Sequence, residues 1–274
     1  MTLAIHGSLL LAGAGKMGGA LVTGWLDRGL DPKQLIVQDP RPAAEVGELL
    51  ARRGVMCQPQ VPALSAPPAV IVVAVKPQIM GEVFPKLSRL AGPETLVLSV
   101  AAGKTIESFR AHLPPSSAVI RCIPNTPAAV GRGITVCCAG PGVTAAQRDL
   151  AQSLLSAVGE VGWVEDEALI DAATAVSGSG PAYIFLLTEC LAQAAREAGI
   201  NEELAKQLAR ATVCGAAELM HRSKLAPDVL RQNVTSPNGT TAAALSILMD
   251  EHGLQDLMTS AVLAAMRRSR ELSG

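Results

Sequence analysis

The chain has 274 residues, of which 49% are hydrophobic and 17% charged, and its 23 Lys+Arg against 24 Asp+Glu leave a formal net charge of −1. A balance so close to neutral gives no electrostatic reason to bind nucleic acid or an anionic membrane surface, while the apolar content supports globular folding. The length is large for one hydrophobic core, so two domains are expected.

Membrane insertion needs about 20 consecutive apolar residues, and Gly, Pro or a charge interrupts every run here. The N-terminal stretch Met1-Thr2-Leu3-Ala4-Ile5-His6-Gly7 has no basic region and leads into a predicted strand, so a cytoplasmic protein is expected. The six cysteines (Cys57, Cys122, Cys137, Cys138, Cys190, Cys214) form no C-x-x-C pair and sit among apolar residues. They read as small core hydrophobes, with neither a metal site nor disulfides expected.

Short apolar runs alternate with helix-length segments through the first part of the chain: Leu9-Leu10-Leu11, Leu35-Ile36-Val37, Val70-Ile71-Val72-Val73, Leu96-Val97-Leu98, Val119-Ile120 and Ile134-Thr135-Val136. Runs apolar on both faces predict a parallel sheet covered by helices on each side, an α/β doubly wound (Rossmann-type) domain. Pro42 and Pro77 stand near first helical turns, and Thr144 is the expected N-cap of a helix running to Val158. A last strand, Gly162-Trp163-Val164, precedes an acidic stretch, and the domain boundary is placed there: 1–164 for dinucleotide binding and 165–274 for an all-helical domain.

In the second part Pro181 to Ala198 is apolar almost all round, which predicts burial inside the domain or against another subunit. Leu204, Leu208, Ala211, Gly215 and Leu219 repeat at three-to-four spacing, as do Leu254, Leu257, Met258, Ala261, Val262 and Ala265. So many apolar faces on about 110 residues favour a homo-oligomer.

The first strand runs into Gly13-Ala14-Gly15-Lys16-Met17-Gly18, a G-x-G-x-x-G between strand and helix. The first glycine permits the tight turn, the second lets a pyrophosphate approach the backbone, and the third lets helix pack on strand. Asp39, ending the second strand, suits the ribose 2′-OH of NADH, whereas Arg41 suits the 2′-phosphate of NADPH, so the cofactor is either one. Further turns contribute Ala74, Val75, Lys76 and Pro77, then Ala101, then Asn125, as one lip around a nicotinamide. Two Ser/Gly-rich loops, Ser177-Gly178-Ser179-Gly180-Pro181 and Ser236-Pro237-Asn238-Gly239-Thr240-Thr241, each open into a helix and offer N–H groups to a small anion. His112, His221 and His252 fall near predicted helix C-termini and His6 lies in the N-terminal lead, so the reaction must need little side-chain proton chemistry.

The glycine motif, Val75-Lys76-Pro77, Arg121-Cys122-Ile123-Pro124-Asn125-Thr126-Pro127, Ser177-Gly178-Ser179-Gly180-Pro181-Ala182-Tyr183 and Ser236 to Thr241 together closely resemble the pyrroline-5-carboxylate reductase family, in order over essentially the whole chain. The resemblance implies reduction of L-1-pyrroline-5-carboxylate to L-proline with NAD(P)H, the last step of proline biosynthesis. It also implies a dimerising helical domain, with dimers commonly assembling into rings. A cyclic imine protonated on nitrogen is already electrophilic, which accounts for the missing acid–base residues.

By the same resemblance Thr241 donates to the substrate nitrogen as the catalytic residue. Ser236, Gly239, Thr240 and Thr241 bind the substrate, whose carboxylate rests on backbone N–H groups, in a loop the family places at the dimer interface facing the nicotinamide. Two positions depart from the family: Asn238 stands where relatives usually have glycine, and Val61 where they often carry a cofactor-contacting asparagine, so that contact is either missing or supplied by Gln58 or Gln60. A β-hydroxyacid dehydrogenase or related imine reductase is the nearest enzyme alternative, but those dehydrogenases need a catalytic lysine that the helix from Pro181 to Ala198 lacks. A dinucleotide-sensing protein without turnover is the alternative of a different class.

Overall fold

The structure, a computed structural model, describes residues 3–273 and divides by contacts into two compact units, 1–178 with 265–274 and Ser179–Ala264. The first unit carries β1 (Leu9–Ala12), α1 (Lys16–Asp27), β2 (Leu35–Gln38), α2 (Ala44–Arg53), β3 (Met56–Gln58), β4 (Val70–Val73), α3 (Met80–Leu87), β5 (Leu96–Ser99) and α4 (Ile106–Arg110). It continues through β6 (Ala118–Ile123), β7 (Gly133–Ala139), α5 (Ala145–Leu155), β8 (Gly159–Val164) and α6 (Leu169–Ala173). The strands form one sheet in the order β3-β2-β1-β4-β5-β6-β7-β8.

The apolar runs form strands because both faces of the sheet are covered. Alternate side chains go to opposite faces, so Leu9 and Leu11 join Trp25, Leu50 and Leu154 of α1, α2 and α5 on one side. Leu10 and Ala12 join Phe84, Phe109 and Ile170 of α3, α4 and α6 on the other. The rings of Phe84 and Phe109 meet edge to face at 4.8 Å, and Trp25 Nε1 donates to the Leu154 carbonyl at 2.8 Å, which satisfies its one polar atom inside the core.

The sheet differs from the expectation in two places. β3 is an additional edge strand, short and largely exposed. β7 pairs antiparallel with β6 while every other neighbour is parallel. The chain between them makes only a short 3₁₀ turn, Thr126–Val130, closed by Gly131 in the left-handed conformation, and a parallel return needs a crossover of about a dozen residues or more. Thr144 caps α5 as expected: its hydroxyl accepts from Gln147 N and the Gln147 side chain accepts from Thr144 N, a capping box.

The second unit is helical: α7 (Gly180–Glu197), α8 (Glu202–Arg222), α9 (Pro227–Asn233) and α10 (Thr240–Leu248), followed by α11 (Leu254–Ser273), whose residues from 265 on count with the sheet unit. Among the described residues of Ser179–Ala264, only Ala205 and Ala209 of α8 are buried. Of the α8 stripe read from its three-to-four spacing, Leu204, Leu208 and Leu219 are exposed, and the small residues Ala205 and Ala209 pack within the unit instead. On α7, Phe185 is 63% and Leu186 59% exposed. Among the described residues no helix is long and apolar enough to cross a membrane.

Candidate active site

The strand register aligns the carboxyl ends of the central strands: Ala12 pairs with Gln38 and Val73, and Val73 pairs with Ser99. The next residues, Gly13, Asp39, Ala74 and Val100, therefore leave the sheet side by side, at the edge where open α/β sheets take their ligands. Gly13 has φ +99°, and a Cβ there would lie 2.6 Å from the Ala74 carbonyl oxygen. A Cβ on Gly18 would overlap the Gly13 carbonyl, so helix and turn meet only because both are glycine.

Gly15 has the opposite environment, with open space where its Cβ would stand. It is also the N-cap of α1, with extended backbone and no side-chain cap, and the first turn holds no acidic residue. The free N–H groups and the positive end of the helix dipole thus face open space that a Cβ would intrude on, which suits a pyrophosphate. Around it Ala14 is buried, Met17 packs on the core and Lys16 is exposed.

The Asp39 carboxylate is tied to this turn. Its Oδ2 accepts from Ala14 N at 2.6 Å and its Oδ1 from Arg41 N at 2.7 Å, while Gly13 N donates to the Gln38 carbonyl at 2.8 Å. Asp39 therefore fastens the glycine turn to the end of β2, with lone pairs remaining on both oxygens. The Arg41 side chain is exposed and makes no hydrogen bond or ion pair among the described residues.

The turn after β4 is anchored by Ala74 N donating to the Ala12 carbonyl at 2.8 Å; Val75 is buried beneath it, and Lys76 and Pro77 are exposed at the start of a 3₁₀ turn. After β5, Ala101 is buried and its N–H meets Ser99 Oγ at 3.3 Å. After β6, the Asn125 side chain is buried and occupied at both ends, with Oδ1 accepting from Ile134 N at 2.9 Å and Nδ2 donating to the Ser177 carbonyl at 3.1 Å. Val61 packs against the core, and among the described residues Gln58 Nε2 reaches only Met56 Sδ, at 3.4 Å.

The stretch expected as a loop at Ser177–Pro181 is helical. Thr174–Gly178 is a π turn that bends at Ser179 and passes into α7, with Ser177 Oγ donating to the Ala173 carbonyl at 2.8 Å. The hydroxyls of Thr174 and Ser177 bond back one turn, which keeps this small-residue segment coiled where its composition reads as a loop.

The turn before α10 does have the expected form. Asn238 has φ +59°, the one positive φ at a non-glycine residue among those described, and Gly239 is the extended N-cap of α10 with no side-chain cap. A Cβ on Gly239 would strike Ser236 Oγ. Thr240 and Thr241 are the first two helical residues, so the cap position belongs to Gly239, and the Thr241 hydroxyl makes no hydrogen bond among the described residues.

Sequence reasoning missed two buried polar clamps of the sheet unit. Arg121 of β6, with its side chain 3% exposed, donates from Nη1 to Glu167 Oε1 at 2.9 Å, and the same oxygen accepts from Ile106 N, the first residue of α4. Asp171 Oδ1 accepts from Ser269 Oγ at 2.6 Å. Arg121 was visible as a charge inside an apolar strand, but its partner lies 46 residues away. The cysteines divide: Cys122, Cys137 and Cys138 are core residues, whereas Cys57, Cys190 and Cys214 are exposed, a correction to their reading as core. Loss of water pushes the Cys122 thiol well above its ordinary range, and burial followed by the nearby Glu167 raises that of Cys138, so both stay protonated at neutral pH. In the helical unit a groove of about 740 Å³ between α7 and α8, lined by Ile184, Phe185, Ala192, Ala209 and Val213 among others, contains none of the expected site residues.

Two family models match the chain: pyrroline-5-carboxylate reductase dimerisation over residues 167–272, and NADP oxidoreductase, coenzyme F420-dependent, over residues 9–103. A pyrroline-5-carboxylate reductase of Pseudomonas aeruginosa is 40% identical over 261 residues, covering 95% of each chain. The solved pyrroline-5-carboxylate reductase of Coxiella burnetii superposes with a TM-score of 0.89 at 35% identity, covering 98% of this chain and 99% of its own. That of Plasmodium falciparum, solved with NADP bound, gives 0.78 at 26% identity and covers both chains completely. With its glycine turn, its dimerisation segment and relatives matched end to end, the chain belongs to the pyrroline-5-carboxylate reductase family.

Proposed function

We propose that the turn before α10 binds the substrate of this reductase and that Thr241 acts on its nitrogen. The chain reduces L-1-pyrroline-5-carboxylate to L-proline with NAD(P)H, which supplies the hydride to the imine carbon. The observation that carries the site reading is the uncapped start of α10, where Gly239 is extended, Asn238 turns the chain, and the Thr241 hydroxyl stands without a partner among the described residues. Backbone N–H groups of Thr240 and Thr241 suit a carboxylate at the positive end of the helix, with Ser236 Oγ beside them and Gly239 shaping the turn through its own N–H, which donates to the Ser236 carbonyl at 3.1 Å. The Thr241 hydroxyl donates to the ring nitrogen, whose positive charge falls as hydride arrives.

The cofactor side is proposed at Gly13, Ala14, Gly15, Lys16, Met17 and Gly18 for the pyrophosphate. Asp39 or Arg41 meets the ribose, and Ala74, Val75, Lys76, Pro77, Ala101 and the backbone of Asn125 form the lip. In this reading 1–164 holds the dinucleotide and 165–274 the substrate and the dimer contacts. The protein works in the cytoplasm, and it does so as a homodimer or an assembly of dimers; the matched dimerisation segment and the uncovered apolar faces of α7 and α8 support the assembly.

The test is NAD(P)H oxidation with the imine in wild type and two variants. Thr241→Ala is expected to lower turnover by about 10²–10³, as loss of one donor at a centre of changing charge does, with NAD(P)H affinity and melting nearly unchanged. Thr241→Ser keeps the hydroxyl and is expected to retain most activity. A lowered melting temperature with normal turnover in Thr241→Ala overturns the assignment.

A further inference from the structure

Two motifs 52 residues apart, Pro124-Asn125-Thr126-Pro127 and Ser177-Gly178-Ser179-Gly180-Pro181, meet in one hydrogen bond, from Asn125 Nδ2 to the Ser177 carbonyl. Among the described residues that carbonyl receives no helical N–H. In an α-helix it receives the N–H four residues on, but that residue is Pro181, which has none, and the following N–H, of Ala182, goes to the Ser179 carbonyl at 3.0 Å. An unsatisfied, half-buried carbonyl is costly, and π turns of this kind recur at functional sites.

We propose that Asn125 is a positioning residue whose amide takes the place of the N–H that Pro181 lacks, fixing the Ser177–Gly178 backbone against the carboxyl edge of the sheet. Its other end is already bound to Ile134 N at the start of β7, so the donor arm is held without freedom to swing. Gly178 lies against the end of β6, where a Cβ would stand 3.7 Å from Ile123 Cγ2. The π turn is thereby set beside the turn after β6 that the proposed function gives to the nicotinamide end of NAD(P)H. The inference rests on that reading only for its effect on turnover. The side chain of Asn125 itself touches neither cofactor nor substrate.

The experiment uses the full chain with Asn125→Asp, which keeps the acceptor for Ile134 N and removes the donor to Ser177, in the wild-type background and in Pro181→Ala. In Asn125→Asp, amide exchange over 174–178 is expected to accelerate at least tenfold. The NAD(P)H dissociation constant is expected to stay within about twofold, and kcat/KM for the imine to fall by about 10- to 100-fold, the scale of a small misplacement near the reacting atoms. In Pro181→Ala the helix recovers a donor of its own, so the same substitution is expected to cost several-fold less. Tenfold weaker NAD(P)H binding with unchanged exchange overturns the proposal by making Asn125 a cofactor contact. Equal losses in both backgrounds overturn it by showing that Asn125 does not replace a missing N–H. If wild type fails to turn over the imine, the functional reading falls, and the exchange and cofactor measurements still judge the role of Asn125.

Discussion

The sheet unit and the helical unit are built from equally apolar sequence, yet they solve burial in opposite ways. In the first, residues such as Leu9, Leu10, Leu11, Val72 and Leu98 have no exposed surface, because helices cover both faces of the sheet. In the second, Ala205 and Ala209 alone are buried among the described residues, while Phe185, Leu186, Leu219 and Ile247 are more than half exposed. Apolar patches of that extent are rare on monomers. A core closed by its own chain and apolar faces that its own unit leaves uncovered thus occur in one protein, and, with a second copy proposed to cover the latter, substitutions in each should fail differently.

The largest expected effect is on assembly. Leu186→Arg places a charge on the uncovered face of α7, and it is expected to give a monomer without turnover that still binds NAD(P)H. Sedimentation and cofactor fluorescence read the two properties separately, and a dimer of normal activity would refute the reading of this face. Leu10→Ala is the counterpart in the closed core: a cost of about 2–5 kcal/mol in melting, with the association state unchanged.

Next in size is the Arg121–Glu167 clamp. Removing one partner of a buried ion pair leaves a charge without compensation, at about 3–5 kcal/mol. Glu167 keeps 28% side-chain exposure, which places Glu167→Ala near the lower end, about 3 kcal/mol. Denaturant unfolding tests it, and a loss below about 1 kcal/mol would mean that water replaces the carboxylate around Arg121.

The glycine turn separates stability from binding. Gly18→Ala collides with the Gly13 carbonyl and is expected to melt several degrees lower, whereas Gly15→Ala enters open space and leaves melting unchanged. If that space holds the pyrophosphate, Gly15→Ala weakens NAD(P)H about tenfold or more, measured by cofactor titration. Unaltered affinity would remove the pyrophosphate from this turn.

Much of this architecture was legible because its causes are local. Runs such as Val70-Ile71-Val72-Val73 announce strands covered on both sides, and G-x-G-x-x-G after a strand announces the turn at α1. Met56-Cys57-Gln58 escaped notice because an exposed edge strand has no apolar run, and the antiparallel β7 escaped because direction depends on the length of the connection. The Ser177–Pro181 segment reads as a loop by composition, and its helical form depends on bonds that composition does not display, one of them from Asn125. In α8 the spacing of Leu204, Leu208 and Leu219 correctly marks an apolar face, but periodicity does not tell which partner covers it.

The smallest expected effect compares the two turns that lead into α1 and α10. Gly13 at φ +99° has a backbone that side chains rarely adopt, whereas Asn238 at φ +59° lies in the left-handed well that asparagine enters more readily than most residues. Asn238→Gly relieves the remaining backbone cost but gives the unfolded chain more freedom, about 0.4–1 kcal/mol, so the two changes nearly cancel. Melting is expected to move by no more than about 2 °C and kcat/KM to stay within about twofold. Asn238→Val adds a branched Cβ at positive φ and is expected to cost about 1–2 kcal/mol, with reduced turnover because Gly239 and Thr240 shift with it. Thermal melting and steady-state kinetics on the pair decide between backbone and side chain. A large loss of activity in Asn238→Gly with unchanged melting would mean that the Asn238 amide itself meets the substrate, and the turn would then carry one more binding group than its backbone supplies.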